Sequence, residues 1–169
     1  MSVDPIATVA VRPEKALTIG AYGETVAAYR YLVLSEKARS HEARNEFAAM
    51  ADEEQDHKQR LQRLLAQMFP DADFFLTPEE KDLVVVGPRL LDVRDETEFA
   101  RAMRYILGTE QRTAHFYRKL SEFISQDDLR RLFAELAEEG VEHYRRLREL
   151  ARVAGVEAEA DAQTGPKET

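Results

Sequence analysis

Phe47-Ala-Ala-Met-Ala-Asp-Glu-Glu-Gln-Asp-His57 and Phe133-Ala-Glu-Leu-Ala-Glu-Glu-Gly-Val-Glu-His143 are two copies of one pattern, 86 residues apart. The same offset aligns Gly20–Leu61 on Ile106–Leu147 without a gap, with 14 of 42 positions identical. The matches pair Glu24 with Glu110, Tyr31 with Tyr117, Leu34 with Leu120, His57 with His143 and Leu61 with Leu147. Self-similarity of this kind marks a structural unit used twice. Apolar residues in both copies recur at spacings of three and four, so the unit is helical.

Working outward, the first copy reads as a helical hairpin. One helix over about 14–39 carries the stripe Leu17, Ala21, Glu24, Ala28, Tyr31 and Leu32. Ser40 caps a second helix over about 41–67. That helix buries Phe47, Met50, Ala51, Leu61, Leu64, Leu65 and Met68. The second copy repeats the design. Asp95-Glu96-Thr97-Glu98 opens a third helix in the manner of a capping box, with Phe99, Met103, Ile106, Glu110, Ala114, Tyr117 and Leu120 on its stripe. A turn at Ser125–Asp128 leads to a fourth helix that runs to Val153 and is ended by Gly155. Its stripe is Leu132, Phe133, Leu136, Gly140, His143, Leu147 and Leu150. Helices of this length span on the order of 40 Å.

Between the hairpins, residues 69–94 are broken by Pro70, Pro78 and Pro88. Thr77-Pro78-Glu79-Glu80 predicts one capped helical turn. A connection this long in a compact domain calls for a reason, and joining parallel helices along a bundle supplies one. The fold class is therefore all-α: a four-helix bundle of two hairpins with one long crossover and an internal pseudo-twofold repeat. The expected organisation is an irregular lead-in over 1–13, the bundle over 14–154, and a disordered acidic tail over 155–169. The apolar pieces Phe74-Phe75-Leu76 and Leu83–Val86 either pack on the bundle or form a dimer interface.

Composition agrees. Of 169 residues, 33% are charged and 44% hydrophobic, with only 7 glycines and 6 prolines, which disfavours a turn-rich β fold. There is no cysteine, so disulfides, a thiolate nucleophile and cysteine-ligated zinc, iron or iron–sulfur centres are excluded from this sequence. A net charge of −8 without a basic block argues against a nucleic-acid partner. No signal peptide is read, and no apolar run reaches the ~18 residues of a membrane span. A cytoplasmic protein is expected.

The polar residues on the stripes carry the chemistry. Glu24 stands between Ala21 and Ala28, and Glu110 between Ile106 and Ala114. Glu54 and His57 share a helix face between Met50 and Leu61, and His143 lies between Leu136 and Leu147. Buried carboxylates must be paired, protonated or metal-bound. Acids and two histidines converging on one core layer fit a divalent metal site, and imidazole with carboxylate suits iron, manganese or zinc.

These segments resemble the ferritin-like di-iron carboxylate proteins, most closely the rubrerythrin branch. That family places a Glu on helices one and three and a Glu-x-x-His on helices two and four. The segments that carry the resemblance are Gly23-Glu24-Thr25 with Tyr31, Asp52–His57, Gly108-Thr109-Glu110 with Tyr117, and Glu138–His143. The resemblance implies Glu24, Glu54, His57, Glu110 and His143 as ligands of two irons, with Glu54 bridging them. It makes Tyr31 and Tyr117 candidates for orienting carboxylates or moving protons. The substrate would be hydrogen peroxide, dioxygen or Fe(II). Rubrerythrins proper carry a cysteine-ligated rubredoxin domain; without cysteine, an external electron donor is needed.

One position departs from the pattern. The second bridging Glu is replaced by Gly140, which aligns with Glu54. Three readings stand: Glu139 substitutes for it, water or another small ligand fills the space, or the second metal is lost. Glu53 and Glu139 otherwise read as solvated acids, as do Glu42 and Glu46. His41 reads as a surface residue, and His115 as half-buried or at an interface. Phe47, Phe99, Phe123 and Phe133 read as core fillers. The functional expectation is a peroxidase-like di-iron oxidoreductase, with a ferroxidase or iron-handling protein and a structural single-metal bundle as alternatives. A homodimer is expected.

Overall fold

The computed structural model describes residues 11–73 and 75–156 of the chain. The described part is helical: α1 (Pro13–Lys37), α2 (His41–Met68), α3 (Pro78–Asp82), α4 (Glu96–Phe123) and α5 (Asp127–Val153). The long helices start and stop within a few residues of the sequence expectation. α1 begins with proline at its first position, where a missing N–H costs nothing. The Ser40 hydroxyl accepts from Ala43 N to start α2, and the Asp95 carboxylate accepts from Glu98 N to start α4. Gly155, at φ 71°, closes α5 in the left-handed conformation. Residues 1–10 and 157–169, with Phe74, lie outside the described residues; so do most of the expected lead-in and tail.

α1 packs along α2, and α4 along α5; α1 also meets α4, while the seam between α2 and α5 is thin. This is a ferritin-like helical bundle. Its core falls into two apolar clusters. One gathers Leu17, Ile19, Phe116, Tyr117, Phe133 and Leu136, the other Tyr31, Leu34, Phe47, Met50, Met103 and Leu147.

The crossover packs on the bundle through Leu76 and Leu83–Val85, whereas Phe75 is 92% exposed. α3 is fixed by a full capping box, with Thr77 N donating to Glu80 Oε2 at 2.8 Å and Glu80 N to Thr77 Oγ1 at 3.2 Å. Val84 and Val85 beyond it are buried in the first apolar cluster. The fully buried Arg30 of α1 donates to the carbonyls of Val86 (2.8 Å) and Pro88 (2.7 Å) and to Thr109 Oγ1 (2.8 Å). Thr109 Oγ1 also accepts from Val86 N, and Thr113 Oγ1 donates to Val84 O. These bonds satisfy crossover backbone that would otherwise be buried without partners.

Two expectations about side chains need correction. Leu32 is 52% exposed, because the inward position after Tyr31 falls three residues on, at Leu34. Phe123 is 67% exposed, since it is the last residue of α4, where the bundle face ends. Of the two alternatives for His115, the half-buried one does not hold: it is exposed, on the outer side of α4 opposite the Ala114 and Tyr117 face. His41 is exposed as expected, and Phe99 is half-buried.

Candidate metal centre

Five ionisable side chains meet between the two apolar clusters: Glu24 from α1, Glu54 and His57 from α2, Glu110 from α4 and His143 from α5. Each is at least nine-tenths buried. They divide into two triads, Glu24–Glu54–His57 and Glu54–Glu110–His143, each with donor atoms within 4.8 Å of one another. Glu54 belongs to both. Its Oε2 lies 2.9 Å from His57 Nδ1 and its Oε1 lies 2.7 Å from His143 Nδ1. The two imidazoles stack at 5.6 Å between centroids, with planes 20° apart.

The tyrosines close the site on the far side, each crossing to the other hairpin. Tyr31 Oη donates to Glu110 Oε1 and Tyr117 Oη to Glu24 Oε1, both at 2.5 Å. Both phenols are held well above their ordinary range, first by burial and then by the carboxylate each one meets.

The electrostatics follow from burying three carboxylates in one layer. Burial, with the Glu54 charge beside it, pushes Glu24 up to about 8. Burial and Glu54 likewise hold Glu110 well above the usual carboxylate range. Burial also acts to raise Glu54, but hydrogen bonds from His143, His57 and Glu24 outweigh it and hold Glu54 well below that range. Burial opposes charge on the histidines, yet the carboxylates around them prevail. Glu24 and Glu54 raise His57 to about 11, and Glu54 and Glu110 raise His143 to about 10. The layer thus gathers positive charge around one shared carboxylate. Oxygen and imidazole donors in two triads around a common Glu form a donor set that fits a pair of iron, manganese or zinc ions.

Glu139 is placed on the outer side of the layer. Its carboxylate is paired with His57 Nε2 and lies 3.3 Å from Arg60 Nη1, and its side chain is 41% exposed. It is absent from both triads. Gly140 stands against α4: a Cβ built there would sit 3.2 Å from Ala114 Cβ. Glu53, expected as a solvated acid, instead accepts from His143 at 2.7 Å and from Arg146 at 2.8 Å. Glu46 is also drawn in, to Arg146 at 2.7 Å. The roles of Arg60 and Arg146 escaped the sequence reading, although the two are identical, repeat-equivalent positions three residues after each histidine.

The rubrerythrin family model matches residues 15–151. The chain belongs to the rubrerythrin family. Among solved structures, this rubrerythrin-family chain is similar to a hypothetical protein from Pyrococcus furiosus, with 28% identity, a TM-score of 0.75, and coverage of 89% of this chain and 95% of that one. It is also similar to a manganese catalase from Anabaena PCC7120, with 16% identity, a TM-score of 0.66, and coverage of 96% and 84%. At that identity the likeness is one of fold. No curated protein matches the chain significantly. Family and Glu/His cluster together indicate a dimetal site. No helix among the described residues is long and apolar enough to cross a membrane.

Proposed function

We propose that the chain is a non-haem di-iron protein that reductively handles hydrogen peroxide or dioxygen. The observation that supports this best is the sharing of Glu54 between two buried triads, each backed by a tyrosine from the opposite hairpin. Glu24, Glu54 and His57 would hold one ion, and Glu54, Glu110 and His143 the other. A bound iron pair supplies the two electrons that peroxide reduction takes. The protein holds the ligands in a layer walled by apolar clusters on two sides, which leaves the histidine end as the approach to the reacting centre. Tyr31 and Tyr117 keep a proton on Oη, 2.5 Å from a ligand carboxylate, ready to be passed on. No cysteine among these residues can carry a rubredoxin centre, so the electrons would reach the site from outside the bundle. The same reading takes residues 14–154 as one folding unit, in a cytoplasmic homodimer.

A second reading, ferroxidase or iron handling, is favoured by the pocket at the histidine end of the site. It has a volume of about 570 Å³ and opens between α2 and α5, where Asp52, Glu53, Asp56, Glu139 and Glu142 line it. Its acids attract a cation such as Fe(II).

Anaerobic loading with Fe(II), followed by a pulse of peroxide or of dioxygen, separates the readings. Fast consumption of about one peroxide per two irons is expected for reductive chemistry, in which each iron gives one electron. Oxidation that leaves iron soluble in large excess over the chain instead supports iron handling. No optical change with either oxidant rejects both.

The tyrosines give a finer test. Tyr31→Phe and Tyr117→Phe each remove one hydroxyl and no ligand. Metal content is expected to stay unchanged while the rate of iron oxidation by peroxide falls roughly 10²-fold, as for loss of a positioned proton donor. Stopped-flow absorbance reads this directly, and an unchanged rate removes the tyrosines from proton transfer.

A further inference from the structure

We propose that Glu53 and Glu139 are positioning residues: each fixes, from the opposite hairpin, which nitrogen of a histidine faces the metal centre. The inference rests on the reading of the buried layer as a metal site.

The geometry is a matched exchange. Glu53 on α2 reaches His143 on α5, with Oε2 2.7 Å from Nε2. Glu139 on α5 reaches back to Nε2 of His57 on α2. Each carboxylate is held in turn by an arginine three residues beyond the histidine it meets. Arg146 Nη1 donates to Glu53 at 2.8 and 3.1 Å, and Arg60 Nη1 to Glu139 at 3.3 Å on both oxygens. The arginines are braced on further acids, Arg146 on Glu46 at 2.7 Å and Arg60 on Glu135 at 2.6 Å. Glu, His and Arg thus recur at identical spacing in both repeats, as Glu53, His57 and Arg60 and as Glu139, His143 and Arg146.

Ordinary surface ion pairs contribute little and show no such order. These differ in their partner. The glutamate side chains are about two-fifths exposed, but the imidazoles they meet are 3% and 8% exposed. A neutral imidazole carries one N–H. With that N–H on Nε2 and given to Glu53 or Glu139, the lone pair is left on Nδ1, the nitrogen that faces Glu54 at 2.7 or 2.9 Å. The outer carboxylate so selects the tautomer and stops the ring from turning. Because the partners are exchanged, the two clamps also tie α2 to α5 across their thin seam.

The test uses Co(II) as probe on the full chain, with Glu53→Ala, Glu139→Ala and the corresponding Gln variants. Two readouts are taken: Co(II) affinity by titration, and the paramagnetically shifted, exchangeable imidazole N–H resonances in the proton NMR spectrum. Wild type is expected to show two such resonances. Each Ala variant is expected to lose one, through exchange with water, and to bind Co(II) about 10–100-fold more weakly. The Gln variants, whose amide oxygen still accepts the N–H, are expected to keep both resonances. Ala variants that retain both resonances and wild-type affinity overturn the inference. If the Ala variants do not fold, the Gln pair decides: retained resonances support the clamp, and lost ones overturn it. A wild-type chain that binds no Co(II) overturns the metal reading and this inference with it.

Discussion

Glu54→Ala is expected to empty both halves of the centre together. Every other member of the two triads serves one of them, whereas Glu54 supplies an oxygen to each. Loss of His57 or Glu24 should leave one triad whole, so its bound metal should fall to about one ion per chain. Loss of Glu54 leaves two donor groups in each triad, and metal content after Fe(II) or Co(II) loading is expected to fall from about two ions to fewer than about 0.5. The metal-free chain is affected as well. Removing one member of a buried charged set costs about 3–5 kcal/mol when its partners stay charged. The sign of the pH dependence follows from the histidines. Their folded values, about 11 and about 10, lie above the ordinary 6.5. Their protonation therefore stabilises the fold fully below pH 6.5, and that contribution is lost as pH rises through the folded values. The variant lacks the carboxylate that chiefly raises His143 and, after Glu24, raises His57, so its deficit against wild type is expected to be largest near pH 6 and to shrink in alkali. Metal analysis checks the first expectation, and denaturant unfolding of the metal-free proteins across pH checks the second. A Glu54→Ala chain that retains close to one ion rejects Glu54 as the shared ligand.

Most of the fold was legible in the sequence because its strongest signals are local. Helix ends are written in Ser40, Asp95, Thr77 and Gly155, whose capping geometry depends on a few neighbouring residues. The placing of Glu24, Glu54, His57, Glu110 and His143 was legible because a charged group on an apolar stripe, found twice at one offset, is improbable by chance. What escaped the reading depends on contacts between distant segments. Arg30 has no equivalent in the second repeat, where Phe116 stands. Its partners lie in the crossover, and no periodicity announces a guanidinium that holds irregular backbone. Glu53 and Glu139 flank the inward stripe, so helical phase alone sends them to solvent. Only the thinness of the α2–α5 seam, a tertiary property, lets each reach the other hairpin's imidazole. Even so, the identity of Glu53 with Glu139 and of Arg60 with Arg146 lay in the repeat alignment. Paired identities beside a buried ligand deserve the same weight as identities on the stripe.

Gly140→Glu restores the repeat on paper, yet it is expected to destabilise the chain. A Cβ at this position meets Ala114 Cβ at 3.2 Å, so α4 and α5 must give by a few tenths of an ångström there. In the repeat, Glu54 and Ala28 stand at the positions equivalent to Gly140 and Ala114. Overpacking of this kind costs about 1–3 kcal/mol. The new carboxylate would also enter a layer where burial and Glu54 already push Glu24 up to about 8. The melting temperature of the metal-free variant is therefore expected to drop by about 2–12 °C, at the usual few degrees per kcal/mol for a chain of this size. Gly140→Ala isolates the contact from the charge. Helix propensity alone predicts a gain of about 1 kcal/mol from replacing a mid-helix glycine, whereas the contact with Ala114 removes that gain. The double variant Ala114→Gly/Gly140→Glu clears the space. It is expected to recover stability once metal is added and to bind the second ion more tightly than wild type, because the missing carboxylate can then reach the pair. If Gly140→Ala is instead stabilised by the full propensity difference, the close approach of α4 and α5 is not what keeps glycine at 140, and the wild-type site is open there for a reason of ligand access rather than packing.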